Sequence, residues 1–207
     1  MEGNGQNEII DILFGINKNF KGNLDIRTNK ISLVPDDRIK KGMIKEFTVG
    51  ENLILKRKEI RKVNNKLIKK FADDVINKYD VRLSEIGAPM ESLSGGNQQK
   101  VIIAREIELD NELLIFSHPT RGVDIAAFLF IHSMIIEQKK KGKSILLISS
   151  DLDELQKLSD KLGVINKGRI VAEFDKSQFD LNNLVEKTIL LESIGKLMIG
   201  ITSEQKN

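Results

Sequence analysis

Cysteine is absent from the 207 residues, which excludes disulfides and thiolate metal sites and fits a reducing compartment. No apolar run approaches the roughly 20 residues that a helix needs to span a bilayer, so any membrane association is expected to be peripheral. The first residues carry no basic stretch followed by an apolar one, so no secretory signal is expected. An excess of one charge is missing too. Lysine and arginine number 33 against 30 aspartates and glutamates, a net charge of +3, so bulk charge argues neither for nor against nucleic acid, and no nucleic-acid partner is expected. What remains is an ordinary globular balance, 40% apolar and 30% charged. The chain is long enough for one domain with its own core, or for a domain plus a small subdomain.

Three apolar stretches do not alternate and so read as buried, parallel-type strands: "ISLV" (31–34), "LLIF" (113–116) and "SILLISS" (144–150). Between the last two lies "DIAAFLFIHSMIIEQKKKG", apolar at helical spacing and basic at its end, with Gly142 placed to stop the helix. Strand, helix, strand is a βαβ unit with right-handed preference. A further helix is expected from Asp151 to about Ser159, and "VINKGRIVAEF" reads as two strands around an Asn-Lys-Gly turn. The fold class is therefore α/β, a parallel-sheet core with an inserted helical subdomain. The expected division is 1–47 with 105–176 for the core, 48–104 for the helical subdomain, and 177–207 for a C-terminal amphipathic helix and tail. The basic stretch "LKRKEIRKVNNKLIKKF" within the subdomain reads as a solvated helix face, with lipid headgroups or a partner as the alternative.

The most specific stretch is "LSGGNQQK" at 93–100. Ser94 is placed to cap a helix that Gly95 and Gly96 open. Glycine permits close backbone approach, and exposed N–H groups at a helix start attract anions. A plain Ser-capped helix is the competing reading of these residues alone.

"LSGGNQQK" resembles the signature motif of the ATP-binding cassette family. "SLSGGNQQKVIIAREI" followed by "PTRGVDIAA" is similar to the second cassette of double-cassette importers for sugars and nucleosides. "VPDDR", "GMIKEFTVGENLIL", "RIVAEF" and "ESIGKLMIG" are similar to the same group, and "DIAAFLFIH" resembles its nucleoside branch. The resemblance implies a P-loop NTPase-type core and two cassettes that sandwich ATP head to tail. Ser94, Gly95 and Gly96 would then meet the γ-phosphate of ATP held mainly by a partner cassette, with Leu93 opening the motif, Gln98 nearby and Asn97 an extra residue in it. It also implies Mg²⁺ at the partner's site, transmembrane permease subunits, a substrate-binding protein, and a peripheral place on the cytoplasmic face of the membrane.

Other positions depart from the family pattern. Gly3, Asn4 and Gly5 match the later glycines of the phosphate loop, where backbone N–H groups cradle phosphates. Gln6 stands for its lysine and Asn7 for its Ser/Thr, although turn chemistry explains a lone Gly-Asn-Gly equally well. Ser117 takes the place of the metal-positioning aspartate and His118 that of the water-polarising glutamate. Ser150 stands for the switch histidine and Asp36 for the glutamine of the Q-loop, while Asp124 matches the D-loop aspartate. Because catalysis in P-loop enzymes is mostly positioning and charge stabilisation, the chain's own site is expected to be degenerate and to hydrolyse ATP poorly. His118 is not expected to serve as a replacement base, since nothing would hold metal-bound phosphates in line. His132 is expected to be a packed or surface residue. The sequence starts inside the phosphate loop, so it is expected to be an N-terminally truncated rear part of a second cassette. Two further readings stay open: a vestigial, inactive fragment, and a soluble cassette acting on DNA or ribosomes, against which the absence of basic linkers counts.

Overall fold

The computed structural model describes residues 3–57, 65–179 and 184–199. In chain order its elements begin α1 (Gln6–Leu13), β1 (Ile31–Val34), a π-helical turn (Arg38–Gly42), α2 (Val49–Ile54) and α3 (Asn65–Lys78). A 3₁₀ turn (Met90–Ser92), α4 (Gly95–Glu108), β2 (Leu113–Ser117), α5 (Ile125–Lys140) and β3 (Ser144–Ile148) follow. The last elements are α6 (Leu152–Leu158), β4 (Lys161–Asn166), β5 (Arg169–Asp175), the helical turn α7 (Lys176–Phe179) and α8 (Leu184–Met198). The basic residues 58–64 lie outside the described residues. Contacts divide the chain into two compact units, Thr28–Ile148 and the described residues of 1–27 with 149–207.

In Thr28–Ile148 the three expected strands form a parallel sheet in the order β1-β2-β3, with Val34 beside Phe116 and Ser117 beside Ile148. The middle strand β2 is buried through Leu114, Ile115, Phe116 and Ser117, which explains why its sequence runs apolar without alternation. Helix α5 makes the crossover between β2 and β3. It ends as Gly142 takes φ 77°, with Gly142 N–H donating to Lys139 O and Lys143 N–H to Gln138 O. That is a Schellman ending, and a left-handed residue there favours glycine.

Helix α4 packs against α2, β1 and α5, and Val101, Ile102, Ile103 and Ala104 are wholly buried. Each of the valine and isoleucine side chains stabilises the fold by about 1.5–3 kcal/mol. Its lower end meets a polar clasp: the buried Tyr79 hydroxyl donates to Glu108 Oε1 at 2.9 Å, and Lys78 Nζ reaches the same oxygen at 2.6 Å. Burial, and then the Glu108 charge and hydrogen bond, push the Tyr79 pKa above its ordinary 10.0. A raised folded-state pKa means stability that is present below the unfolded value and lost as the pH climbs past it. Tyr79→Phe is therefore expected to cost about 1–2 kcal/mol at neutral pH but to lose stability less steeply above pH 10.0. Urea unfolding across that range checks both.

In the other unit β4 and β5 pair antiparallel. Lys167 (φ 47°) and Gly168 (φ 76°) make the tight turn that Asn-Lys-Gly announces. Helix α8 lies against β4, where Asn166 Nδ2 donates to the carbonyls of Leu197 and Met198 at 3.1 and 2.8 Å. No described helix is long and apolar enough to cross a membrane.

Candidate functional site

Within Thr28–Ile148 the predicted residues gather around the start of α4 and the carboxyl ends of β1 and β2. Ser94 is the N-cap: its Oγ accepts the Asn97 backbone N–H at 3.4 Å and Asn97 Nδ2 at 3.0 Å. Ser94 is exposed, whereas Leu93, Gly96 and Gln98 are buried. Close neighbours crowd both glycines. A β-carbon on Gly95 would stand 2.7 Å from Arg38 Nη2, and one on Gly96 would stand 2.8 Å from Asp124 Oδ2. Asp124 is itself fixed, as its Oδ1 accepts the Ala127 N–H at 2.8 Å and caps α5. Signature and D-loop positions are thus in direct packing contact.

Gln98 turns inward. Its Nε2 donates to the carbonyls of Met90 (3.3 Å) and Leu93 (3.1 Å), and its Oε1 accepts Arg38 Nε at 3.4 Å. Arg38 also donates through Nη1 to Arg121 O at 3.1 Å. One guanidinium therefore ties the segment after β1 to the signature helix and to the loop after β2. Sequence reading passed over Arg38 because its partners lie 60 and 83 residues away; its place directly after Asp36-Asp37 was the one available signal.

Asp36 stands after β1 with its carboxylate on Lys41 Nζ at 2.8 Å. Partial burial raises its pKa, but the Lys41 hydrogen bond and charge outweigh that, and the net shift is downward. Ser117 is buried at the tip of β2. His118 follows in the left-handed region (φ 48°), its N–H donating to Ile148 O at 2.8 Å and its carbonyl accepting from Arg121 N–H at 3.1 Å. His132 is buried on α5 with its ring 4.1 Å from that of Phe128, a packed residue as expected.

The other unit holds Gly3, Asn4, Gly5, Gln6, Asn7 and Ser150. Gly5 is buried in the left-handed region (φ 113°), and a β-carbon there would stand 2.8 Å from Gly168 Cα and 2.9 Å from Ile165 Cδ1. Asn4 accepts the Gly168 N–H on its carbonyl at 2.7 Å and the Lys167 N–H on Oδ1 at 3.3 Å. The Gly-Asn-Gly stretch is therefore shaped to the β4–β5 turn. Its Asn4 N–H, in the loop where a phosphate cradle is expected, donates instead to Gln6 Oε1 at 2.9 Å. Asn7 is exposed on the first turn of α1, and Ser150 is exposed just before α6. Among the described residues no three His, Cys, Asp or Glu side chains cluster to hold a metal ion. These residues do not fit a magnesium-bound phosphate chain: the loop offers an uncharged amide where a cation is needed, and that amide is turned onto the loop itself. Gly5→Ala is expected to cost about 2–4 kcal/mol, combining backbone strain and overpacking, and faster amide exchange in β4 and β5 would report it.

The fold matches that of solved structures. The ATP-binding cassette MJ0796, in its dimeric post-hydrolysis state bound to ADP and Pi, superposes with a TM-score of 0.68 over 85% of this chain and 82% of that one, at 20% identity. The cbiO1 protein of Clostridium perfringens, part of the ABC transporter complex cbiONQ, gives 0.70 over 96% and 84%, at 22% identity. The chain has the ATP-binding cassette fold. No family model matches this cassette. Its sequence is related to importer proteins. It is 34% identical to the guanosine import ATP-binding protein NupO of Bacillus subtilis over 99% of its length, and 39% identical to a putative carbohydrate transport ATP-binding protein of Mycoplasma pneumoniae over 92%. It is 34% identical to the ribose import ATP-binding protein RbsA of Clostridium tetani over 85%. The cassette spans 42%, 36% and 38% of those three proteins.

Proposed function

We propose that this cassette is the second ATP-binding half of an importer for sugars or nucleosides, and that it lends its signature helix to ATP held mainly by a partner cassette. Its own nucleotide site is degenerate. One contrast carries this reading. The signature end presents an exposed Ser94 hydroxyl over close-packed glycines, while the phosphate-loop position has its Asn4 N–H taken by Gln6 Oε1. Ser117 and His118 supply neither the carboxylate pair nor the charge that phosphoryl transfer uses.

In the composite site the partner supplies the lysine and the Mg²⁺, which neutralise the developing charge. Ser94 and the N–H groups at the start of α4 add donors to the γ-phosphate. Closure of the two cassettes drives permease subunits in the membrane, loaded by a substrate-binding protein, with this chain peripheral on the cytoplasmic face. The relatives named for guanosine, ribose and carbohydrate import support that setting. ATP hydrolysis by the assembled transporter, with Ser94→Ala compared against Gln6→Ala, tests the proposal. A transporter indifferent to both would mark the chain as a vestigial fragment.

A further inference from the structure

Asn97 directly follows the two glycines of "LSGGNQQK", and both ends of its side chain are hydrogen-bonded. Its Oδ1 accepts the backbone N–H of Arg82 at 2.8 Å, and its Nδ2 donates to Ser94 Oγ at 3.0 Å. A backbone N–H can only donate, so the carboxamide atom facing Arg82 is the oxygen, and the amide nitrogen must face Ser94. The orientation follows from chemistry.

A serine hydroxyl has two acceptor positions and one proton. An ordinary N-cap serine fills one acceptor position from the helix and leaves its rotor free. Here both are filled, one by Asn97 Nδ2 and one by the Asn97 backbone N–H. The Ser94 proton has no acceptor among the described residues, and Ser94 is exposed. Its only remaining role is to donate outward. The chain from Arg82 N–H through Asn97 to Ser94 O–H also runs in one direction, so each bond polarises the next.

We propose that Asn97 is a positioning residue that fixes Ser94 as a hydrogen-bond donor toward a ligand made only of acceptors, the terminal phosphate of a nucleoside triphosphate. This rests on the function proposed above. A water molecule satisfies a free serine in either direction, whereas a phosphate oxygen needs the proton. Fixing the hydroxyl in advance removes a rotor choice that closure on ATP would otherwise have to make.

The test is single-turnover hydrolysis of γ-labelled ATP by the assembled transporter, with variants at both residues alone and together. Asn97→Ala is expected to lower the rate about tenfold, with less change in ATP affinity, and to change nothing further on a Ser94→Ala background, as residues acting as one unit do. Asn97→Asp is the sharper variant. Its carboxylate keeps the shape and still accepts the Arg82 N–H, but it takes the Ser94 proton instead of giving one. It is expected to fall as far as Ser94→Ala, with the thermal unfolding midpoint unchanged. Charge repulsion alone would lower the rate equally on both backgrounds, and a mere tie to Arg82 would leave Asn97→Asp near wild type. Either result overturns the proposal. If Ser94→Ala itself hydrolyses ATP at the wild-type rate, the signature reading fails first and this one with it.

Discussion

Replacing Ser94 by alanine is expected to slow ATP hydrolysis by the assembled transporter about 10²–10³-fold, the usual cost of one preorganised donor at a developing charge, while Gln6→Ala stays within about twofold of wild type. The asymmetry follows from where each side chain points. Ser94 is exposed at the start of α4, whose first N–H groups attract anions. Gln6 holds the N–H of Asn4 within its own loop, so removing it frees a donor without removing a catalytic charge. The neighbouring glycines should grade between these extremes. Gly95→Ala meets Arg38 Nη2 at 2.7 Å, the far end of a flexible side chain that can swing away. Gly96→Ala meets Asp124 Oδ2 at 2.8 Å, and that carboxylate is held by the Ala127 N–H, so the larger loss belongs to Gly96. Equal losses from Ser94→Ala and Gln6→Ala would sink the division of labour between the two cassettes.

How far the sequence could be read depended on whether a residue's task is local. The three parallel strands, the α5 crossover with its glycine ending and the β4–β5 turn were all legible, because periodicity and turn chemistry act within a few residues. The Ser94 cap was legible for the same reason, since its backbone partner is three residues on. Gly5 was not. A phosphate cradle and a turn make the same demand for glycine, and the Gly168 that packs on Gly5 is far along the chain. Arg38 and the Arg82 end of the Asn97 bridge were hidden for the same cause. Ser117 and His118 were legible as departures at the tip of β2, but the left-handed backbone at His118, tied to Ile148 O, comes from the sheet pairing.

Glu106→Ala is expected to be the most damaging change to stability, about 3–5 kcal/mol, because it strands a buried positive charge. Glu106 is 1% exposed and sits on α4, the same helix that starts at the signature. Its Oε1 accepts Arg105 Nε at 3.0 Å, and Lys56 Nζ bridges from α2's end at 2.8 Å. Among the described residues Arg105, 4% exposed, keeps only the Asn52 carbonyl at 3.5 Å if Glu106 is lost. Removing Lys56 instead should cost no more than about 1 kcal/mol, since it is half exposed and water takes over. The double change Arg105→Met with Glu106→Leu should recover most of the loss, because two desolvated charges disappear together and similar volume remains. Urea unfolding of the four proteins gives the comparison. If the single Glu106 variant were no worse than the double, the pair would be holding water rather than excluding it. If the double restores stability but not ATP hydrolysis, then the charges serve to fix the pitch of α4 and so the place of Ser94, fourteen residues of rigid helix doing for the site what the fold alone does not require.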